Sequence, residues 1–277
     1  MRWQGRAGSS NIEDRRGMGM ALPVGGGIGG LILLLLFSAL TGQSPTDLIN
    51  SQGPPASEST GTTGLREDDP QSKFISVVLK STEDVWSQVF QQHGATYPSP
   101  TLVLFENATQ SACGVGQSAM GPFYCPRDRK LYLDLSFFRE LDQRFGAPGD
   151  FAQAYVVAHE VGHHVQTLTG LSDRVAETRA QGGRAQANAL SVRQELQADC
   201  YAGVWGHYAA RTDLIEPGDA EEGLRAAAAI GDDRLQRESQ GRVAPESFTH
   251  GSSAQRVSWL KRGLESGKLE SCDTFSD

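Results

Sequence analysis

His159, Glu160 and His163 have the residue types and spacing to do chemistry in this sequence. In HEVGH the two histidines stand one helical turn apart, so on a helix they share a face where two neutral imidazoles can hold one Zn²⁺. Glu160 sits beside them with a carboxylate able to take a proton from water acidified by the ion. Burying three polar side chains without a metal or partners would cost several kcal/mol. The trio in an otherwise apolar run therefore points to a metal-assisted hydrolase. His164 faces elsewhere on such a helix and reads as a group outside the ligand set or at the surface.

A tetrahedral site that keeps one position open needs a third protein ligand. RQELQADCYAGVW offers Glu195 and Asp199, again four residues apart. One carboxylate can bind zinc while the other accepts a hydrogen bond from the outer nitrogen of a ligating histidine. Leu196, Ala198, Tyr201, Ala202, Val204 and Trp205 surround the pair with apolar side chains, unlike a solvated acidic face.

Two helices must carry these groups. In DFAQAYVVAHEVGHHVQTLTG, Asp150 to Gly170, apolar and small residues recur every three or four positions, with Asp150 and Gln153 as a capping pair and Gly170 as the stop. Ala185 to Ala210 is the second long helical stretch. Here the chain resembles the gluzincins, the thermolysin-like zinc peptidases. Their HExxH helix and later glutamate ligand, with an aspartate four residues on, match His159, Glu160, His163, Glu195 and Asp199 one for one. The resemblance implies Zn²⁺ held by His159, His163 and Glu195, Asp199 orienting His159, and Glu160 as the base. Through MRWQGR, NIEDRRG, GPFYCPRD, YLDLSFF, QELQADCYAGVW, SFTHGSSAQRVSWLKRG and CDTF, nearly the whole chain is similar to the bacterial neutral zinc metallopeptidase family of membrane-anchored proteins. The fold so implied is α+β and zincin-like, mostly helical with a small sheet, preceded by one transmembrane helix.

The 277 residues are 38% hydrophobic and 21% charged, with net charge −8. An acidic body argues against nucleic acid, which would want a basic patch. Residues 1–20 form a short polar arm with a slight positive excess. Residues 21–41, ALPVGGGIGGLILLLLFSALT, carry no charge and are long enough to cross about 30 Å of hydrocarbon as a helix. The flanking charges favour a cytoplasmic arm and a catalytic domain on the periplasmic or extracellular side. A cleavable signal peptide is the competing reading, but FSALTGQS offers no clear small-x-small site. Residues 42–71 read as a flexible linker rich in Pro, Gly, Ser and Thr, and residues 72–277 as the zinc metallopeptidase domain.

Within that domain the spacing predicts two helices between Phe74 and Phe90, split by a cap at Ser81 or Thr82. Thr101–Phe105 and Lys130–Leu135 read as strands. Resemblance to gluzincins suggests that part of the glycine-rich stretch between them borders the cleft. Phe137–Phe145 reads as a short helix, Asp219 opens another that ends near Gly231, and Asp232–Pro245 reads as loop. A last helix is capped by Ser252 or Ser253 and stopped by Gly263. Four cysteines allow three pairings; Cys113–Cys125 and Cys200–Cys272 pair sequence neighbours, staple the tail and suit an oxidising compartment.

The expected reaction is hydrolysis of a peptide or protein substrate, with Glu160 as base. A further donor to the developing oxyanion is required. His250, in a turn before the last helix, is the first candidate, with Arg256 and Tyr201 behind it. An inactive membrane-anchored scaffold or binding protein, and a zinc amidase acting on cell-wall peptides, are the alternatives.

Overall fold

The computed structural model describes residues 1–17, 62–63 and 69–276. The strands are β1 (Ile12–Asp14), β2 (Thr62–Thr63), β3 (Thr101–Phe105), β4 (Ala108–Ser111), β5 (Gly114–Gln117), β6 (Phe123–Cys125) and β7 (Lys130–Asp134). Five of them form a mixed sheet in the order β2-β1-β3-β7-β6, while β4 and β5 make a separate hairpin. Strand β3 lies between parallel partners, β1 and β7. Its run TLVLF is accordingly apolar on both faces, as an inner strand requires. Strand β6 pairs antiparallel with β7 and forms one edge of the sheet.

The first residues are not a separate arm, and this corrects the expected domain division. Ile12, 2% exposed, enters the core and registers with Leu102, while Asp14 registers with Leu104. Trp3 packs edge-on against Phe74, with ring centroids 5.4 Å apart. Glu83 accepts hydrogen bonds from the Ser9 hydroxyl (2.6 Å) and the Asn11 amide (2.8 Å). The expected linker is also shorter at its end, because Thr62–Thr63 pairs with β1 and Asp69 caps the first helix. Among the described residues no helix is long and apolar enough to cross a membrane. The apolar run 21–41 lies outside them.

Eight α-helices are described: α1 (Pro70–Gln92), α2 (Ser136–Gln143), α3 (Asp150–Leu168), α4 (Leu171–Gln181), α5 (Arg184–Ala210), α6 (Asp219–Ala229), α7 (Asp232–Gln240) and α8 (Ser253–Ser266). Helix α1 runs unbroken where a cap was expected, since the Thr82 hydroxyl bonds back to the Leu79 carbonyl at 2.7 Å inside the helix. Asp150 and Gln153 do not cap α3. Gly149 is its N-cap, with no side-chain cap bond, and the Asp150 carboxylate faces the Met1 amine at 2.9 Å. Residues 232–240, expected as loop, form α7, with Asp232 and Asp233 in its acidic first turn.

Ser252 caps α8 through a complete capping box with Gln255. Gly263 does not stop this helix, which ends at Gly267. It is the contact point with α5: a Cβ at 263 would stand 2.0 Å from the Cys200 carbonyl, and one at Gly203 would stand 2.2 Å from the Leu260 carbonyl. Both disulfides form as expected, Cys113–Cys125 and Cys200–Cys272. The first fastens the β5 end of the hairpin region to edge strand β6, and the second ties α5 to the C-terminal segment.

Removing residues 1–69 should cost far more than trimming an arm. The cut uncovers one edge of β3 and strips Ile12 from the core, whose burial alone is worth about 1.5–3 kcal/mol. In urea unfolding, residues 70–277 should be less stable by at least that much than a chain joining Arg16 to Thr62 through a short Gly-Ser linker. Equal midpoints and slopes for the two would remove β1 from the cooperative unit.

Candidate metal centre

Gly162, within HEVGH, decides how closely α3 and α5 approach. A Cβ there would lie 3.0 Å from the Ala198 carbonyl and 3.1 Å from its Cα, so a larger residue would push α5 away from α3. At this crossing Glu195 faces His159 and His163. Its Oε2 is 3.1 Å from His159 Nε2, and its Oε1 is 3.4 Å from His163 Nε2. Donor atoms about 2.0–2.1 Å from a tetrahedral Zn²⁺ are separated from one another by roughly 3.3 Å. The observed spacings fit that geometry.

The hydrogen bonds behind His159 and His163 strengthen the fit. His159 Nδ1 donates to Asp199 Oδ1 (2.8 Å), and His163 Nδ1 donates to Gln166 Oε1 (2.9 Å). In a neutral imidazole the other nitrogen then carries a lone pair, here aimed at a carboxylate. Lone pairs facing lone pairs are repulsive unless positive charge lies between them. Burial works against protonating His159, but the Asp199 and Glu195 carboxylates outweigh it and raise its pKa to about 10. Burial likewise opposes charge on His163, and Glu195 again raises its pKa. The donor set of two imidazoles and one carboxylate suits Zn²⁺.

Asp199 is wholly buried and has four donors around it. Besides His159, it accepts from the Tyr155 hydroxyl (2.6 Å) and from Arg256 through Nε (2.8 Å) and Nη2 (2.9 Å). Burial alone would raise Asp199; Arg256 and His159 reverse that and hold it at about 2. Arg256 is therefore engaged behind His159 and not at the oxyanion position considered for it. Tyr201 is buried against Trp86, ring centroids 5.5 Å apart, and is also not a donor to the site.

Behind His163, Gln166 Nε2 donates to the Gln194 carbonyl (2.7 Å) and to Gln197 Oε1 (3.1 Å), and Gln197 Nε2 donates to the Cys272 carbonyl (3.0 Å). A chain of amides thus links the ligand to the disulfide-tethered tail. Gln166 and Gln197 were missed in the sequence, where they look like ordinary helix glutamines. Their i, i+3 offset from His163 and placement between Glu195 and Asp199 are the signals available. His164 is 1% exposed, accepts from Tyr124 (3.0 Å) and donates to the Pro98 carbonyl (2.7 Å). Burial lowers its pKa to about 4, so it is neutral at pH 7 and fastens α3 to edge strand β6.

Glu160 and His250 both line a cleft of about 870 Å³ that also contains the three candidate ligands. Burial raises the Glu160 carboxyl above its usual range, although His163 and His159 pull the other way. His250 Nδ1 lies 3.2 Å from Asp232 Oδ1, a contact that raises the His250 pKa. Asp232 Oδ2 also accepts the backbone N–H groups of Thr249 (2.7 Å), His250 (2.7 Å) and Gly251 (3.1 Å). Gly251, at φ 92, makes the turn that seats the histidine. Asp232, expected in a loop, was missed because its partner stands on another element. The cleft wall is mixed: Met120, Phe123, Tyr124, Phe137, Phe145 and Leu235 line it together with the charged Glu140, Arg144, Arg179 and Glu238.

A second acidic group, Asp150, Asp219 and Glu222, could in principle hold a cation. The Met1 amine stands within it, 2.9 Å from Asp150 and 3.3 Å from Asp219. No metal role is assigned to it.

A mostly helical α+β domain that brings two histidines of α3 against a carboxylate of α5 is consistent with a zincin-like fold. The chain belongs to the family described as "Putative neutral zinc metallopeptidase", whose model matches residues 1–275. It is 51% identical to the Escherichia coli (strain K12) "Uncharacterized protein YpfJ" over 286 residues, covering 99% of each chain. It is 42% identical over 216 residues to the Mycobacterium tuberculosis (strain H37Rv) "Uncharacterized protein Rv2575", covering 74% of this chain and 72% of that one. No solved structure matches it.

Proposed function

We propose that the protein is a zinc-dependent endopeptidase in which His159, His163 and Glu195 would hold the metal and Glu160 acts as base on the attacking water. The observation that carries this reading is the convergence of His159, His163 and Glu195, whose ligand atoms lie within 4.8 Å of one another, with a base candidate in the same cleft. When bound, Zn²⁺ would supply Lewis acidity toward the scissile carbonyl and acidify the attacking water. Glu160 takes the water proton and later delivers it to the leaving nitrogen, a task suited to a carboxyl whose pKa burial has raised. His250, braced through Nδ1 by Asp232, offers its Nε2–H to the developing oxyanion.

Asp199 fixes the tautomer of His159, and Gln166 that of His163. Edge strand β6 has backbone groups able to pair with an extended substrate, and its Phe123 and Tyr124 line the cleft. This favours an extended peptide over a small amide. The two disulfides support work in an oxidising compartment. We expect the purified full chain to cleave members of a peptide library, to stop on treatment with 1,10-phenanthroline, and to resume when Zn²⁺ is restored. Cleavage sites read by mass spectrometry that persist in metal-free protein would overturn the assignment.

A further inference from the structure

The two ends of segment 17–61 are held together by the fold. Glu13 registers with Thr63 and Asp14 with Thr62, in antiparallel pairing. Arg16 donates to Asp14 at 2.6 Å and 2.8 Å and also reaches Asp69, the cap of α1. The residues before this point are equally committed to the body. Besides the β1–β3 ladder, the Arg2 backbone N–H donates to the Leu214 carbonyl (2.8 Å) and Ser9 N–H to the Ser76 carbonyl (2.9 Å).

This arrangement conflicts with a single crossing of a bilayer by residues 21–41. One crossing would place β1 and β3 on opposite sides of about 30 Å of hydrocarbon, where no backbone hydrogen bond could join them. Two crossings need a second stretch of about 20 apolar residues. Residues 42–61 instead read GQSPTDLINSQGPPASESTG, with Pro45, Pro54, Pro55, Asp47 and Glu58. We propose that Met1–Arg16 and residues 62–277 stand on the same face of the membrane, so that the chain does not cross the bilayer a single time between them with its N-terminus cytoplasmic and its zinc-site body on the other side.

The proposal rests on the membrane reading of residues 21–41, and the experiment separates the two. Every described cysteine is bonded, so one added cysteine in the full chain is the sole target of a membrane-impermeant maleimide. Gln4→Cys and Lys261→Cys, both at exposed positions, would be expressed in a bacterium made permeable at its outer membrane. Ser10→Cys serves in place of Gln4→Cys if that variant folds poorly. The expected result is protein in the membrane fraction with both positions labelled alike, either both in intact cells or both only after lysis. Membrane-bound protein labelled at 261 but protected at 4 and 10 until lysis, or the reverse, overturns the proposal alone. Protein found wholly in the soluble fraction overturns the membrane reading and the proposal with it.

Discussion

Glu160→Gln should leave zinc binding intact and lower peptide turnover by about 10²–10⁴-fold, the usual contribution of a positioned general base. The substitution keeps the size and packing of the side chain, and Glu195 keeps its distances of 3.1 Å to His159 and 3.4 Å to His163. What it removes is the carboxylate that accepts the water proton. His250→Ala gives the informative contrast, because its imidazole lines the same cleft from another element, braced by Asp232 at 3.2 Å. Loss of an oxyanion donor costs on the order of 10²-fold in kcat with zinc occupancy unchanged. Zinc content by atomic emission and kcat on one cleaved peptide decide both cases. Full turnover by Glu160→Gln at equal zinc content would remove the assigned base, and full turnover by His250→Ala would return that residue to a local role in the loop.

The HEVGH and ExxxD spacings were legible in the sequence because a separation of four is a property of one helix, independent of what packs on it. The same locality made α5 and the β3 and β7 strands readable. The groups behind the ligands were not, since each depends on a crossing between elements far apart in sequence. Arg256 reaches Asp199 only because Gly203 and Gly263 let α8 lie against α5. Asp232 serves His250 only because residues 232–240 coil into a helix whose start faces the 249–251 turn. Strand β1 was hidden for a different reason. Its three residues, Ile-Glu-Asp, contain one apolar side chain, and the neighbouring run 21–41 dominates any reading based on hydropathy. Conversely, the cap signal at Ser81 and Thr82 was real chemistry put to another use, a hydroxyl bonded back inside a continuous helix.

Arg256→Ala should destabilise the protein by about 3–5 kcal/mol, the range for removing one partner of a buried ion pair. Asp199 is 0% exposed, and two of its four bonds come from this guanidinium. Without Arg256 its charge would rest on Tyr155 and His159 alone, and a wandering carboxylate would no longer hold the His159 ring in place. Zinc affinity should therefore fall together with the urea midpoint, by about 10–100-fold as for other groups that orient a ligating histidine. Pairing Arg256→Met with Asp199→Asn tests the electrostatic origin of the effect. The double variant leaves no buried charge unpaired, so it should unfold at higher urea than Arg256→Ala, while binding zinc less tightly than the parent because a neutral amide orients His159 more weakly than a carboxylate. A merely steric role for Arg256 predicts that the double variant is no more stable than the single one. A loss below about 1 kcal/mol for Arg256→Ala, within the range of an exposed ion pair, would show that Asp199 does not depend on it.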